Sequence, residues 1–301
     1  MRPATNMARA ERRLAVLFAM PALGVIALVA LVPIAATTWE ALHLHDLRLP
    51  WLGRPFIGTA NFVEAFSDPR FTAALAHSLA FAIVSVPLEL GLGLALAWLM
   101  HTVVRGKPFV RVAAILPWAI PTVVVALIWR FMFEAQAGIV NVPLRASGIT
   151  GPGFDWFVGS VTAWIPIVGA DVWKTVPFVA ILLLAGLQSI DPALYEAARI
   201  DGASPTRQFF TITVPLLGPA LVVAGAFRVL DALRLFDLTY VLTGGGPGTA
   251  TEPLSLYAFI ALMQRLRFGY ASALSVTIFA LTVGFALVWL RALGRSLTEE
   301  S

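Results

Sequence analysis

The sequence predicts an all-α protein that crosses a membrane six times. Of its 301 residues, 59% are hydrophobic and 13% are charged, and the mean hydropathy is +0.84. Soluble domains carry about 25% charged residues, so this shortfall indicates an integral membrane protein. The second observation is a series of apolar runs near the roughly 20 residues that a helix needs to cross a bilayer. We place the six spans at about 14–39, 76–100, 111–133, 160–187, 214–242 and 271–293.

The first span follows three arginines, as the hydrophobic stretch of a secretory signal does. Its apolar run is longer than the roughly 7–15 residues of such a stretch, so we interpret it as an uncleaved membrane helix. Prolines interrupt the second, third and fourth spans, which suits bent helices around a polar cavity because freed carbonyls need other partners. These prolines are Pro87, Pro117, Pro121, Pro166 and Pro177.

The distribution of lysine and arginine predicts the orientation. Six spans put both termini on one side, and the side richer in cations is the cytoplasmic one. Eleven cations share the side of the termini: Arg2, Arg9, Arg12, Arg13, Arg105, Lys107, Arg111, Arg199, Arg207, Arg291 and Arg295. Six lie on the opposite side, with Arg130 at a border: Arg48, Arg54, Arg70, Arg145, Arg265 and Arg267. We therefore expect cytoplasmic termini.

Three segments lie on the opposite side, at about 40–75, 134–159 and 243–270. In the first, Phe62, Phe66 and Phe71 recur at near-helical spacing, which predicts a short amphipathic helix at the membrane surface. The third opens with TGGGPGTATEP, a composition typical of a flexible turn. With no soluble domain or repeat evident, we predict one membrane domain over 1–301, with its core at about 76–293.

Several kinds of chemistry are excluded or disfavoured. The chain has no cysteine, which removes disulfides, thiolate chemistry and cysteine-based metal sites. His43 and His45 form the one close histidine pair, and two histidines in a polar loop are a weak metal signal. No G-x-x-x-x-G-K-[ST] phosphate loop is present, and the GGGPG stretch at 244–248 lacks its lysine. We expect neither catalysis nor a cofactor in this chain, and the net charge of +4 is too small to indicate nucleic acid.

A charged segment at 191–215 separates the fourth and fifth spans. Asp191 suits a helix N-cap, Pro192 suits the first turn, and Gly202 suits a left-handed helix end. Ser204 and Pro205 then repeat the starting pattern. The sequence thus predicts two short helices that meet at Gly202. Spacing alone leaves two interpretations open, an ordinary connector and a compact knob that docks another protein.

The same segment resembles the Glu-Ala-Ala loop of binding-protein-dependent ABC importer permeases. The family pattern is Glu-Ala-Ala, three residues, Gly, nine residues, Ile, one residue and Leu-Pro. Here it falls on Glu196-Ala197-Ala198, Gly202, Ile212 and Val214-Pro215, and valine for leucine is the one departure. Three further stretches resemble the carbohydrate branch, the maltose- and trehalose-type permeases: IGTANFVEAFSDPRFTAALAHSLAF from Ile57, DVWKTVPFVAILLLAGLQSI and FRVLDALRLFDLTYVLTGGGPG.

The resemblance implies the type I ABC importer permease fold of the MetI-like class, in a bacterial inner membrane. It implies coupling to a cytoplasmic ATPase through Glu196, Ala197, Ala198, Asp201, Gly202, Ile212 and Pro215. It implies as partners a second, homologous permease, two ATPase subunits that bind ATP and Mg, an extracytoplasmic sugar-binding protein and the sugar. We therefore expect ATP-driven import of a sugar such as trehalose or maltose by alternating access.

Ionisable residues lie inside the fourth and fifth spans, namely Asp171, Lys174, Arg228, Asp231 and Arg234. Such groups are costly in a bilayer and face a partner or a polar cavity. With a rise of about 1.5 Å per residue, Lys174 and Asp231 lie at similar depth, and so do Asp171 and Arg228. We expect ion pairs between the spans, a lining of the translocation path, or both.

Trp164, Trp173 and Tyr240 are candidates to stack on a sugar ring, although such aromatics more often pack or lie at the interface. One rival function is a transporter driven by an ion gradient, with Asp171 or Asp231 as its cation site. That rival explains the buried charges but not the Glu-Ala-Ala loop. Other rivals are an ABC permease for a solute such as glycerol phosphate and a scaffold that transports nothing.

Overall fold

The computed structural model describes residues 4–102, 107–151 and 153–298, so Arg2 and Arg105 lie outside the described residues. The described part of the chain is helical and has two isolated bridges but no strand. Its helices are α1 (Ala4–Ala41), α2 (Ala60–Ser67), α3 (Pro69–Thr102), α4 (Lys107–Ala119), α5 (Thr122–Met132), α6 (Asn141–Ala146), α7 (Trp164–Gln188), α8 (Pro192–Ile200), α9 (Pro205–Gln208), α10 (Val214–Leu216), α11 (Gly218–Ala232), α12 (Asp237–Leu242), α13 (Leu254–Phe259) and α14 (Phe268–Thr298).

Four of these helices contain a stretch that is long and apolar enough to cross a membrane: Leu14–Ala41, Pro69–Thr102, Trp164–Gln188 and Phe268–Trp289. Two further spans are bent pairs, with an angle of 88° between Pro108–Ala119 and Thr122–Met132 and of 64° between Pro205–Leu216 and Gly218–Ala232. The described residues thus hold six spans if each bent pair counts as one. The predicted number and order agree with this arrangement.

The break in the third span agrees with the interruption predicted at Pro121, whereas the break in the fifth span was not predicted. In the third, Pro121 adopts an extended conformation (φ −56°, ψ 136°) between α4 and α5, and proline cannot donate the hydrogen bond that a continuous helix needs. In the fifth, Pro219 in the first turn of α11 marks a new start. That span also ends at Ala232 rather than 242, because turn bonds such as Arg234 N to Asp231 O, 3.0 Å, replace the helical ladder.

The chain divides into two compact parts. The larger part comprises residues 68–257 and 278–298, and in it α3 and α7 run against each other. A Cβ on Gly93 of α3 would lie 2.4 Å from Cγ1 of Val179 in α7, so only glycine permits this close approach. The single membrane domain over 1–301 stays a prediction.

The smaller part comprises residues 4–67 and 258–277. The most apolar stretch of α1 has no buried residue, which suits a helix that faces lipid. The helix expected near Phe62 and Phe66 forms as α2. Its predicted three-phenylalanine face was wrong, because Asp68 caps a new helix through the Arg70 amide (2.8 Å) and Phe71 is buried in α3.

The turn predicted at 243–253 is present, but its contacts are not those of a flexible segment. Arg70 holds the buried carboxylate of Glu252 with two hydrogen bonds of 2.8 and 2.5 Å. His77 Nδ1 lies 3.0 Å from the Glu252 carbonyl, and Trp164 Nε1 donates to the Ala250 carbonyl at 3.0 Å. These bonds fix the turn, and they support the packing interpretation of Trp164.

Candidate functional site

The segment at 191–215 folds as its capping signals predict. The Asp191 carboxylate accepts a hydrogen bond from the Ala193 amide (2.9 Å), and the Ser204 hydroxyl accepts one from the Arg207 amide (3.3 Å). Between α8 and α9, Gly202 has φ +77°. Apart from its two chain neighbours, no described residue has an atom within 4 Å of the position of a Cβ on Gly202. The glycine is therefore needed for its backbone angle and not for space within the chain.

The face of α8 is open to another molecule. Glu196, Ala197 and Asp201 are exposed and Ala198 is half-buried. Two exposed apolar residues that the sequence analysis missed lie in the same segment: Ile200, which is 87% exposed, and Phe210. Exposed apolar groups among charged ones are typical of a protein contact, and both were visible in the sequence as apolar residues outside a span.

The other end of the segment is anchored to the helix bundle. Tyr195 Oη and Thr213 Oγ1 lie 2.9 Å apart, and Gln208 Nε2 donates to the Ala203 carbonyl at 2.9 Å. Ile212 packs against the buried cluster of α3, α7 and α11, whereas Pro215 is exposed. The predicted coupling residues thus fall into two groups, one on the surface of α8 and one that seats the segment.

A single guanidinium organises the buried charges. Arg228 of α11 donates to Glu89 of α3 through Nε (2.5 Å) and Nη2 (2.9 Å). It also donates to Asp171 of α7 at 2.9 Å and to Asp231 of its own helix at 2.5 Å. Thr175 adds a hydrogen bond from its hydroxyl to Glu89 Oε1 at 3.0 Å. We call Glu89, Asp171, Arg228 and Asp231 the charge cluster.

The cluster confirms one predicted ion pair and corrects the other. Asp171 pairs with Arg228 as expected. The Lys174–Asp231 pair was wrong, because Asp231 turns to Arg228 three residues back, and Lys174 makes no ion pair within 4.0 Å of any described residue. Glu89, with 0% side-chain exposure, was missed. Its signal was a lone carboxylate in the second apolar span, which demands a partner.

A small cavity opens beside the cluster, with a volume of about 150 Å³. Its charged walls are Asp171, Lys174, Asp231, Arg234 and Asp237, and its aromatic walls are Phe81 and Phe236. The Asp231 side chain is 61% exposed, whereas that of Arg228 is 3% exposed. The carboxylate is therefore presented to the cavity while its counter-ion stays inside the protein.

None of the three stacking candidates, Trp164, Trp173 and Tyr240, is among the described residues that line this cavity. Trp173 lies with its ring centroid 6.4 Å from that of Trp129. Tyr240 stacks on Phe236 at 5.5 Å, with 11° between the ring planes. Both rings are about half-exposed, so a role in stacking on a sugar stays a prediction. The aromatic rings that line the cavity itself are Phe81 and Phe236.

The profile of one protein family, described as binding-protein-dependent transport system inner membrane component, matches residues 89–296. The chain belongs to this family. This membrane component has relatives of nearly its own length. It is 40% identical over 281 residues to the trehalose/maltose transport system permease protein MalF of Thermococcus litoralis, covering 93% of this chain and 94% of the relative.

Two further relatives are nearly as similar in sequence. The sulfoquinovosyl glycerol transport system permease protein SmoG of Agrobacterium fabrum is 38% identical over 281 residues, which cover 93% of this chain and 90% of SmoG. The trehalose transport system permease protein SugA of Mycobacterium tuberculosis is 37% identical over 294 residues, which cover 96% of this chain and 92% of SugA.

Solved structures show the fold of this membrane component. A chain of a bacterial ABC transporter involved in the import of the acidic polysaccharide alginate superposes with a TM-score of 0.80 at 22% identity, covering 96% of this chain and 99% of that one. A chain of the MetNI methionine ABC transporter superposes with a TM-score of 0.50 at 19% identity, over 76% of this chain and 94% of that one. The predicted all-α importer fold is therefore confirmed.

Proposed function

We propose that this chain is a permease subunit of an ATP-driven importer that moves a neutral sugar, such as trehalose or maltose, by alternating access. The observation that carries the proposal is the segment around Gly202. It presents an exposed helix, α8, on an anchored base, in a chain whose sequence has no phosphate loop of its own. Such a surface suits a partner that supplies the energy of ATP.

The partners follow from the same reasoning. Two ATPase subunits that bind ATP and Mg would engage α8 and its counterpart on a second, homologous permease chain. A binding protein outside the membrane would deliver the sugar, in keeping with the family description. In support, one structural neighbour is a bacterial alginate ABC transporter in complex with a periplasmic protein bound to an alginate pentasaccharide.

The charges around the cavity favour a neutral cargo. Four carboxylates, Glu89 and the three aspartates at 171, 231 and 237, meet three cations, Arg228, Lys174 and Arg234. Acidic side chains outnumber basic ones by one, so the cavity offers no excess of cations to hold phosphates, sulfonates or sugar acids. Mixed acceptors and donors suit the hydroxyls of a neutral sugar.

The contacts of Arg228 argue against the alternative function, a transporter driven by an ion gradient. Asp171 and Asp231 both bond to Arg228, so neither is a free carboxylate that waits for a proton or sodium ion. The charge cluster is therefore better explained as a scaffold for the cavity than as an ion-coupling site.

Uptake into vesicles tests the function. The chain is reconstituted into vesicles with its permease, ATPase and binding-protein partners. Labelled trehalose or maltose is expected to cross the membrane when ATP is supplied on the side of the ATPase subunits and no ion gradient exists. Unlabelled glycerol 3-phosphate in excess is expected to leave this uptake unchanged, because the cavity has no excess of cations to hold a phosphate. Uptake that follows an ion gradient without ATP, or competition by glycerol 3-phosphate, would contradict the proposal.

Cysteine labelling tests the proposed cytoplasmic side of the coupling segment. The natural chain has no cysteine, and Ser204 and Thr249 are both exposed. In intact cells, a membrane-impermeant maleimide is expected to label Thr249→Cys and to spare Ser204→Cys until the membrane is opened. The reverse pattern would place the termini outside and would leave the coupling segment unable to reach an ATPase.

A further inference from the structure

Three helix ends meet in the smaller part of the molecule. The side-chain amide of Asn61, in the first turn of α2, donates to the carbonyls of Ala41 and His43 at the end of α1 (2.8 and 3.0 Å). The Gly269 amide, at the start of α14, donates to the His45 carbonyl at 3.1 Å. A Cβ on Gly269 would lie 2.2 Å from the His43 carbonyl oxygen, so the ends are in direct contact.

Charged side chains reinforce this junction. Arg267 lies 2.6 Å from Glu64 of α2 and 3.7 Å from Asp46. Asp46 also binds Arg48 with two bonds of 2.9 and 2.6 Å, and the Arg48 guanidinium holds the pKa of this carboxyl below its ordinary value. The junction therefore keeps its charges at neutral pH.

The junction indicates the depth of this region relative to the bilayer. Both α1 and the start of α14 belong to apolar helices of membrane-spanning length, so the point where one ends and the other begins marks one edge of the bilayer. Because α2 is hydrogen-bonded to that point, α2 and the loop before it lie at the membrane surface rather than far out in water.

The loop at this level is apolar where it is most exposed. Hydrogen bonds from Leu44 N to Pro55 O and from Ile57 N to Leu42 O, both 2.9 Å, close its base. Beyond the base, Trp51 is 74% exposed, and Leu47, Leu52 and Phe56 are exposed as well. On α2, which is hydrogen-bonded to the same junction, Val63 is exposed as well. Exposure of a tryptophan ring at the tip of a loop is unfavourable in water.

Cations flank the apolar tip. Arg48 precedes Trp51, its side chain is half-exposed, and its guanidinium is shared with Asp46. Arg54 follows, is exposed, and forms no ion pair within 4.0 Å of any described residue. Tryptophan between arginines is the pattern of groups that sit at the headgroup level, with the ring in the apolar boundary and the cations on phosphates.

We propose that residues 47–56, together with Val63 of α2, form a lipid-anchoring loop that inserts Trp51 into the headgroup boundary of the leaflet where α1 ends, with Arg48 and Arg54 on lipid phosphates. The partner is thus a phospholipid surface and not a protein. The level of the junction carries this choice, because a protein partner would need no particular depth. The proposal does not depend on which solute is transported.

Spin-label accessibility in nanodiscs tests the loop on the full chain. Single cysteines at Trp51 and Phe56 carry the label, and Thr249→Cys, on an exposed turn, is the water-accessible control. The discs contain equal amounts of phosphatidylcholine and phosphatidylglycerol. We expect collisions with oxygen, which concentrates in lipid, to exceed those with a water-soluble nickel chelate several-fold at 51 and 56. The ratio is expected to reverse at 249.

Two results would overturn the proposal. One is a label at 51 and at 56 that collides with the nickel chelate as readily as the label at 249, which would place the loop in water. The other is protection that arises only when a soluble binding protein is added, which would make the surface a protein contact. Labels at two positions guard against one variant that misfolds.

A separate comparison tests the role of the cations. The reference is the label at 51 in the anionic discs with Arg54 unchanged. Its accessibility to the nickel chelate is expected to rise when the discs contain phosphatidylcholine alone. It is also expected to rise in the anionic discs when Arg54→Glu is introduced. If accessibility at 51 ignores both changes, Arg54 does not bind headgroups and the anionic part of the proposal fails. Val63→Cys, on α2, is expected to report oxygen-rich surroundings in every disc.

Discussion

Replacement of Arg228 by methionine is expected to destabilise the folded protein strongly. The guanidinium is the one cation within 4.0 Å of Glu89, Asp171 and Asp231 among the described residues. Removing one partner of a buried pair costs about 3–5 kcal/mol in soluble proteins, and here three carboxylates lose their partner at once. Thermal unfolding of the purified chain, followed by size-exclusion chromatography, should show loss of the monodisperse peak well below the wild-type temperature.

Two further variants separate the cluster from cations in general. Arg234→Met removes an exposed cation that makes no ion pair with a described residue, and we expect the unfolding temperature to change little. Arg228→Lys keeps the charge but cannot make the two-pronged contact with Glu89, so it should fall between wild type and methionine. If Arg228→Met unfolds at the wild-type temperature, the cluster does not hold the helices together.

Replacement of Gly202 by valine is expected to uncouple transport while leaving the helix bundle folded. A left-handed conformation costs an ordinary residue about 1–2 kcal/mol, and Gly202 has φ +77° at the joint of α8 and α9. If that cost falls on the docked form of the segment, the docked population drops about tenfold. The initial rate of ATP-driven sugar uptake and the ATPase retained on purification should both fall.

Asparagine at the same position is the matched control, since it enters the left-handed region far more readily than valine. Among the described residues, only the two chain neighbours of Gly202 have atoms within 4 Å of the position of the new Cβ, so Gly202→Asn should keep most of the uptake. Equal losses in both variants would mean that a partner subunit, and not the backbone angle, excludes a side chain. Normal uptake with valine would remove Gly202 from the coupling mechanism.

Local signals in the sequence were sufficient for the parts of the fold that depend on local chemistry. The caps at Asp191 and Ser204 and the left-handed angle at Gly202 need only the residues themselves and their neighbours. The number of spans likewise follows from length and polarity. The bend of 88° at Pro121 was signalled by a proline, but its size depends on what α4 and α5 pack against.

The site was predictable only where depth alone decides a contact. Asp171 and Arg228 meet because they lie at one level on facing helices. Depth says nothing about rotation, so it could not show that Asp231 would turn back to Arg228 and leave Lys174 without an ion pair among the described residues. Glu89 was missed, although a single carboxylate within an apolar run is itself a signal of a buried partner.

The bonds of Arg228 have a consequence for motion during transport. They connect α3, α7 and α11 through one planar group, whose bonds to Glu89 and Asp171 are 2.5 to 2.9 Å long. Sliding one helix past another by a turn, about 5.4 Å, would break contacts in a place where water cannot replace them. We therefore expect the three helices to move together during transport. We expect the pivots to lie where the helical hydrogen bonds are already interrupted, at Pro121 and between Ala232 and Asp237.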